Sequence, residues 1–247
     1  MHPLARSRWY LTVASLLVLL ACGSAGAADD ANRGPSRRAA PETPPPVPPK
    51  YHLGPAEGKA RTSLFGVVGE GYKFVYVFDR SGSMGGSGRN ALRAVKAELL
   101  ASLDNLDTIH QFQIIFYNDR PVIFNPSGAP GRLAFANEQN KQRARRFIAT
   151  MVADGGTRHM DALELATKMQ PDVIFFLTDA DEPVLSRRDL DKVQRRAAGI
   201  TIHAIEFGTG PKPPGKSFLE VLAAENAGQY RYVDIAEPQP AGSDDAR

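Results

Sequence analysis

The sequence has almost no cysteine, since Cys22 is the only one among its 247 residues. A single thiol excludes a disulfide within the chain and a cysteine-based zinc cluster. The five histidines are scattered, and no His-Glu-x-x-His pair occurs, which excludes the usual zinc-protease motif. Any chemistry with a metal must therefore use oxygen or imidazole ligands.

Excess charge of one sign is confined to the N-terminal fifth of the chain. The whole chain has 30 basic and 27 acidic side chains, and residues 1–50 hold six and three of these, which leaves 24 of each in the rest. Nucleic-acid binding depends mainly on basic charge that displaces counterions. The neutral balance beyond residue 50 therefore argues against nucleic acid as a partner.

Residues 1–28 have the composition of an export signal. Arg6 and Arg8 precede an apolar stretch at 11–20, and small residues follow up to 28. This order predicts an exported protein of the periplasm or cell envelope. Two alternatives stay open, and either would tether the protein to a membrane: residues 9–28 carry no charge and suit an uncleaved anchor, and Cys22 follows a stretch that resembles a lipoprotein processing site.

Composition divides the remainder of the chain. Residues 29–50 predict a proline-rich, disordered linker, and residues 51–71 precede the domain proper. The domain is predicted over residues 72–235, and residues 236–247 form a loose tail.

Short apolar runs alternate with amphipathic stretches across the predicted domain. Strands are predicted at 74–78, 112–117, 172–177, 201–207 and 229–233, with helices at 138–151, 160–169, 186–197 and 218–226. Leu92, Val95, Leu99 and Leu103 recur at helical spacing after the first of these strands. This alternation predicts an α/β fold: a doubly wound, mostly parallel sheet with helices on both faces. One antiparallel edge strand is predicted at 121–124, and a second edge strand at 63–68.

In such a sheet, ligands bind beyond the carboxyl ends of the strands. Three loops of this chain are predicted to lie there: the loop after residue 78, the loop before residue 160 and the loop after residue 177. All three carry hydroxyls and carboxylates. The first contains Asp79-Arg80-Ser81-Gly82-Ser83, which resembles the metal-ion-dependent adhesion site of von Willebrand factor type A domains. That family's second element, a threonine after glycines, corresponds to Thr157, and its third, an aspartate after a strand, corresponds to Asp179.

The resemblance covers residues 72–234 and identifies the chain as an exported bacterial member of this family with a Rossmann-like fold. It implies that Ser81, Ser83 and Thr157 contact a divalent metal and that Asp79 and Asp179 act largely through water. Hydroxyl and carboxylate oxygens suit Mg²⁺ or Mn²⁺. A metal with few anionic ligands stays electrophilic, and the family uses it to capture a Glu or Asp of a partner protein. Metal-dependent protein binding, in adhesion or scaffolding, is therefore the expected function.

Three further residues are expected beside the ligand. Gly82 and Gly156 would let the loops bend and bring Thr157 close to the ion. Asp181 either adds negative charge near the ion or faces solvent. It follows Ala180, where many relatives have glycine, and this departure leaves the ligand preference open.

A metal-dependent phosphoryl-transfer enzyme or hydrolase of the cell envelope is the alternative function. Phosphatases that place an aspartate after the first strand have a second acid two residues later, where this chain has Ser81. The Gly-Lys-Ser/Thr ending of a nucleotide-binding loop and the Gly-x-Ser-x-Gly motif of serine hydrolases are both missing. No catalytic residue is therefore assigned, and a binding module is favoured over an enzyme.

Overall fold

The computed structural model describes residues 58–85, 91–180 and 183–236. The predicted export signal, Cys22, the proline-rich linker and Asp181 lie outside the described residues, as does the tail beyond residue 236. Within the described parts, no helix is both long and apolar enough to cross a bilayer.

Nine strands and five α-helices occur in the described parts of the chain. The strands are β1 (Ala60–Leu64), β2 (Val67–Gly71), β3 (Lys73–Asp79), β4 (Gln111–Tyr117), β5 (Pro121–Ile123), β6 (Ala134–Phe135), β7 (Val173–Thr178), β8 (Thr201–Gly208) and β9 (Tyr230–Asp234). The helices are α1 (Ala91–Asp104), α2 (Glu138–Thr150), α3 (His159–Lys168), α4 (Arg187–Arg196) and α5 (Phe218–Glu225).

The main sheet has the strand order β5-β4-β3-β7-β8-β9, and β6 also pairs with β4. Strands β4, β3, β7, β8 and β9 are mutually parallel, whereas β5 and β6 run antiparallel to β4. This confirms the predicted fold and its antiparallel edge. In register, Asp79 lies opposite Tyr117 and Phe78 lies opposite Leu177, so β3, β4 and β7 end at the same edge of the sheet.

Alternate residues of the central strand β3 feed two separate cores. Phe74, Tyr76 and Phe78 belong to a cluster that includes apolar residues of α1, α2 and the β1–β2 hairpin. Val75 and Val77 pack on the opposite side with residues of α3, α4 and α5. Because successive side chains of a strand point to opposite faces, a strand covered by helices on both faces is apolar throughout. The uninterrupted apolar run of β3 thus has its physical explanation.

The N-terminal segment forms a hairpin, and the predicted edge strand at 63–68 is wrong. Strands β1 and β2 form a two-stranded sheet of their own, and their turn lies at Phe65 and Gly66, with φ of 48° and 77°. Two positive φ values fit a type I′ turn. Buried hydroxyls connect the hairpin to α1 and β3. Thr62 Oγ1 lies 2.6 Å from the Oγ of Ser102 in α1, and this Oγ lies 2.8 Å from the hydroxyl of Tyr76 in β3.

Candidate metal centre

Asp79 is the last residue of β3 and is completely buried. Its Oδ1 accepts a hydrogen bond from the Ser81 amide at 2.7 Å, and its Oδ2 accepts one from Thr178 Oγ1 at 2.7 Å. The two donors approach different oxygens and therefore fix the orientation of the carboxylate. Asp79 is thus positioned before any ligand binds.

Burial raises the pKa of the Asp79 carboxyl to about 6. Its hydrogen bonds with Thr178 and Ser81 lower the pKa, and the neighbouring charge of Asp179 raises it further. None of the groups that set this pKa is a lysine or an arginine. A buried carboxylate without a cationic partner is costly as an anion, and a bound cation would relieve that cost.

The two serine hydroxyls of the first loop lie side by side. Ser81 is 2% exposed, and its Oγ is 3.0 Å from the Oγ of Ser83. A 3-10 turn over Gly82–Gly85 produces this proximity, with the Met84 amide donating to the Ser81 carbonyl at 3.0 Å. Two neutral oxygens are therefore presented together at the edge where β3 ends.

The loop that carries Thr157 is joined to the first loop by backbone hydrogen bonds. The Gly82 amide donates to the Gly155 carbonyl at 3.0 Å, and the Asp154 amide donates to the Arg80 carbonyl at 2.9 Å. A Cβ on Gly82 would meet that Gly155 oxygen only at an ordinary 3.6 Å. Gly82 therefore contributes its backbone amide to this contact, and the contact itself does not require the absence of a side chain. Thr157 is half-buried two residues beyond Gly155.

Asn118 and Asp119, which follow β4, hold the same loop from the other side. Asn118 Nδ2 donates to the carbonyl and to Oδ1 of Asp154, both at 2.9 Å, and the Gly156 amide donates to Asp119 Oδ2 at 2.9 Å. A Cβ on Gly155 or Gly156 would lie within 2.7 Å of an Asp119 oxygen. A side chain at either position would displace the Asp119 carboxylate, and Gly155 in addition has φ of 72°, which favours glycine. The sequence analysis assigned no role to Asn118 and Asp119, although their place after a strand at the ligand edge was a usable signal.

Arg80, between Asp79 and Ser81, adds a side-chain link to the second loop. Its guanidinium pairs with Asp154 and donates to the Val152 carbonyl at 3.2 Å. Its side chain is only 14% exposed. The variable position of the Asp-x-Ser-x-Ser motif is thus occupied by a residue that fixes the loop before Thr157.

The third loop begins with the half-buried Asp179, directly after β7. The next residue, Ala180, has φ of 57°, and its amide donates to Thr178 Oγ1 at 3.1 Å. This is the position where sequence comparison anticipated a glycine. A left-handed conformation costs an alanine about 1–2 kcal/mol, so the backbone after Asp179 is locally strained.

The donor set fits a hard divalent cation. Among the described residues, no group of three or more His, Cys, Asp or Glu is arranged to hold a metal, so a metal at this edge needs hydroxyl ligands. The adjacent oxygens of Ser81 and Ser83, the oriented carboxylate of Asp79, and Asp179, which lines one cavity with Ser83, meet that need. Such oxygen ligands are those that Mg²⁺ prefers.

Residues 74–182 match the family model of the von Willebrand factor type A domain. The structure agrees with this match: a type A domain from Catenulispora acidiphila superposes with a TM-score of 0.57, at 20% identity, over 69% of this chain and 41% of its own. The domain has the von Willebrand factor type A fold.

Similar proteins also occur in other organisms. The protein BatB of Bacteroides thetaiotaomicron superposes with a TM-score of 0.51, at 17% identity, over 66% of this chain and 91% of its own. Human inter-alpha-trypsin inhibitor heavy chain H4 is 30% identical over 176 residues, or 64% of this chain, and the pig protein is 28% identical. The chain spans 18% of the length of these two heavy chains, so their activities as whole proteins do not transfer directly.

Proposed function

We propose that the type A domain binds Mg²⁺ or Mn²⁺ and uses it to capture an acidic residue of another protein. The hydroxyls of Ser81, Ser83 and Thr157 would hold the metal directly, while Asp79 and Asp179 would hold its water ligands. The metal supplies positive charge with an open coordination position. The 3.0 Å pairing of the serine hydroxyls beside the oriented Asp79 carboxylate is the observation that carries this proposal.

The same contacts favour binding over catalysis. Ser81 Oγ is hydrogen-bonded to the hydroxyl of Ser83. None of the hydrogen bonds found among the described residues joins either serine to a histidine. A nucleophilic serine needs a base within hydrogen-bond reach. Asp79 occupies the position of a phosphatase nucleophile, but Ser81 stands where such an enzyme has its second acid.

Metal titration of Thr157→Ala tests this proposal. We expect isothermal calorimetry to show Mg²⁺ and Mn²⁺ binding to the full chain, and the substitution to weaken it at least about tenfold, as loss of a metal ligand or its support does. Thr108→Ala is the matched control, because Thr108 is exposed just before β4, at the opposite end of the sheet. Equal metal affinities in the two variants would reject the ligand set.

A second measurement concerns the captured partner. Affinity capture from envelope extracts, in Mg²⁺ and in EDTA, should yield proteins that bind wild type only with metal and that Thr157→Ala loses in both conditions. Proteins that bind equally in EDTA would contradict metal-dependent capture.

We also propose that the domain is exported, with residues 1–28 as the signal and with the membrane tether through residues 9–28 or a lipid on Cys22 as alternatives. Cell fractionation with mass spectrometry of the N-terminus distinguishes these forms. Recovery of the unprocessed chain in the cytoplasm would reject all three.

A further inference from the structure

A cavity of about 190 Å³ opens directly beside the proposed metal site. Ser83 and Asp179 form its wall on the metal side. Glu206, near the carboxyl end of β8, and Tyr232 of β9 also line it. Among the described residues that line it, only Asp179 and Glu206 are charged, and they make this part of the cavity acidic.

Glu206 is a buried carboxylate, and no ion pair between described residues compensates its charge. It is 8% exposed, and its Oε2 accepts a hydrogen bond from the Tyr230 hydroxyl at 2.9 Å. Burial and the Glu206 charge hold the pKa of Tyr230 well above its usual range, so the hydroxyl remains a donor. Among the described residues, no ion pair includes Glu206. Lys212, which lines a second cleft on which Glu206 also borders, is paired instead with Glu220.

A charge in such a position favours a cation from outside the domain. Removing a carboxylate from water is expensive unless a countercharge compensates for it, and one hydrogen bond from a neutral tyrosine supplies only part of that compensation. The volume of the cavity, about 190 Å³, is large enough for the end of one long side chain. An ammonium or guanidinium group is the occupant that complements its charge.

The spacing allows one short segment to reach the metal and the cavity together. Thr178, the residue before Asp179, is paired in register with Glu206, and neighbouring strands lie about 4.8 Å apart. We propose that the partner's segment places its acidic residue on the metal and a nearby lysine or arginine in the cavity against Glu206. This assignment rests on the proposed function, because the metal-bound carboxylate is what anchors the segment.

Two small probes distinguish binding of a carboxylate at the metal from binding of a cation in the Glu206 cavity. Hexanoate offers a carboxylate alone, and 6-aminohexanoate adds an ammonium at the end of the same chain. With Mg²⁺ and the full chain, we expect 6-aminohexanoate to bind roughly fivefold more tightly than hexanoate, as one partly shielded ion pair would produce. Binding is measured by chemical-shift titration of ¹⁵N-labelled protein.

Variants of Glu206 decide whether that preference arises in the cavity. Glu206→Gln keeps an acceptor for Tyr230 and should abolish the preference for the ammonium, while hexanoate should still bind in the presence of Mg²⁺. Glu206→Asp keeps the charge and should retain part of the preference. Glu70→Gln is the control for loss of a negative charge away from the cavity. Glu70 is exposed in the hairpin. Its neighbour Gly71 lies against Asp172, at the amino end of β7, whereas the metal loops lie at the carboxyl end.

The outcomes distinguish the two proposals. If hexanoate does not bind even with Mg²⁺, metal-dependent carboxylate capture is refuted, and the proposed cation subsite at Glu206 is refuted with it. If both probes bind wild type equally, or if Glu206→Gln keeps the preference, the subsite is refuted while the metal proposal stands. A preference lost in Glu206→Gln and kept in Glu70→Gln supports the subsite.

Discussion

At the scale of single residues, the burial of Asp79 couples the proposed metal site to protons. Its pKa in the folded protein is about 6, above the value of about 3.9 for an unfolded chain. The metal-free folded state therefore holds this proton more tightly than the unfolded state does, and the contribution of Asp79 to stability falls as pH rises from about 4 through 6. Metal binding needs the ionised form, so protons compete with the metal below about pH 6.

Replacing Asp79 by asparagine tests this coupling. In EDTA at pH 7, we expect Asp79→Asn to raise the free energy of unfolding by about 1–3 kcal/mol, because the uncharged amide removes the cost of a buried anion. Asn can keep the hydrogen bond from the Ser81 amide through its Oδ1. Urea denaturation should show this gain at pH 7 and its disappearance near pH 4, and added Mg²⁺ should no longer stabilise the variant.

Asp107→Asn serves as the control, since Asp107 is exposed at the other end of the sheet. A gain in the Asp79 variant that is equally large at pH 4 and pH 7 would show that burial of the charge is not its cause.

At the scale of elements, the loop before Thr157 is held by side chains from two other loops. Asn118 makes two hydrogen bonds to Asp154, and Arg80 pairs with the same residue. These contacts set the path of the chain towards Thr157 without using Thr157 itself. The position of the predicted threonine ligand is thus a property of neighbouring elements.

Loosening that loop should weaken the metal site. We expect Asn118→Ala to lower Mg²⁺ affinity about tenfold, because residues that orient metal ligands typically contribute this much. Asn140→Ala is a matched control: Asn140 Nδ2 also donates to a backbone carbonyl, that of Phe135, away from the site. Calorimetric titration that gives the same affinity for both variants would show that Asn118 has no positioning role.

The elements also show what a sequence can and cannot predict. The buried strands were located to within one or two residues, since runs such as 74–78 are apolar on both faces. The β1–β2 hairpin was missed because Phe65-Gly66 lacks the usual Asn-Gly signal. Asn118 and Asp119 were missed because a local turn and a long-range hydrogen-bonding role have the same local sequence.

At the scale of the whole molecule, a second buried group, His203, contributes to the pH dependence of stability with the opposite sign to Asp79. Burial lowers the pKa of His203 to about 4, and its Nδ1 accepts a hydrogen bond from the Gln229 amide at 3.0 Å. The folded state needs the neutral ring, so this contribution is present above about pH 6.5 and is lost as pH falls towards 4. The slopes from His203 and Asp79 have opposite signs over nearly the same range.

The two contributions should therefore offset each other in metal-free wild type. Between pH 4 and 6.5, we expect His203→Asn to lose less stability on acidification than wild type, since an asparagine Oδ1 can accept the Gln229 hydrogen bond without titrating. Asp79→Asn should lose more. Thermal or urea unfolding across this range checks both slopes, and parallel profiles for all three proteins would contradict the assignment.

The hairpin places the start of the described chain far from the metal loops. His110, just before β4, donates from Nε2 to the carbonyl of Gly58 at 2.9 Å, whereas Asp79 and Thr178 end their strands at the opposite edge. A pull between residue 58 and a partner at the metal is thus directed along β3, which is already extended at about 3.3 Å per residue and has little slack. Its parallel ladders with β4 and β7 run along the same direction, so such a pull would load their hydrogen bonds in shear.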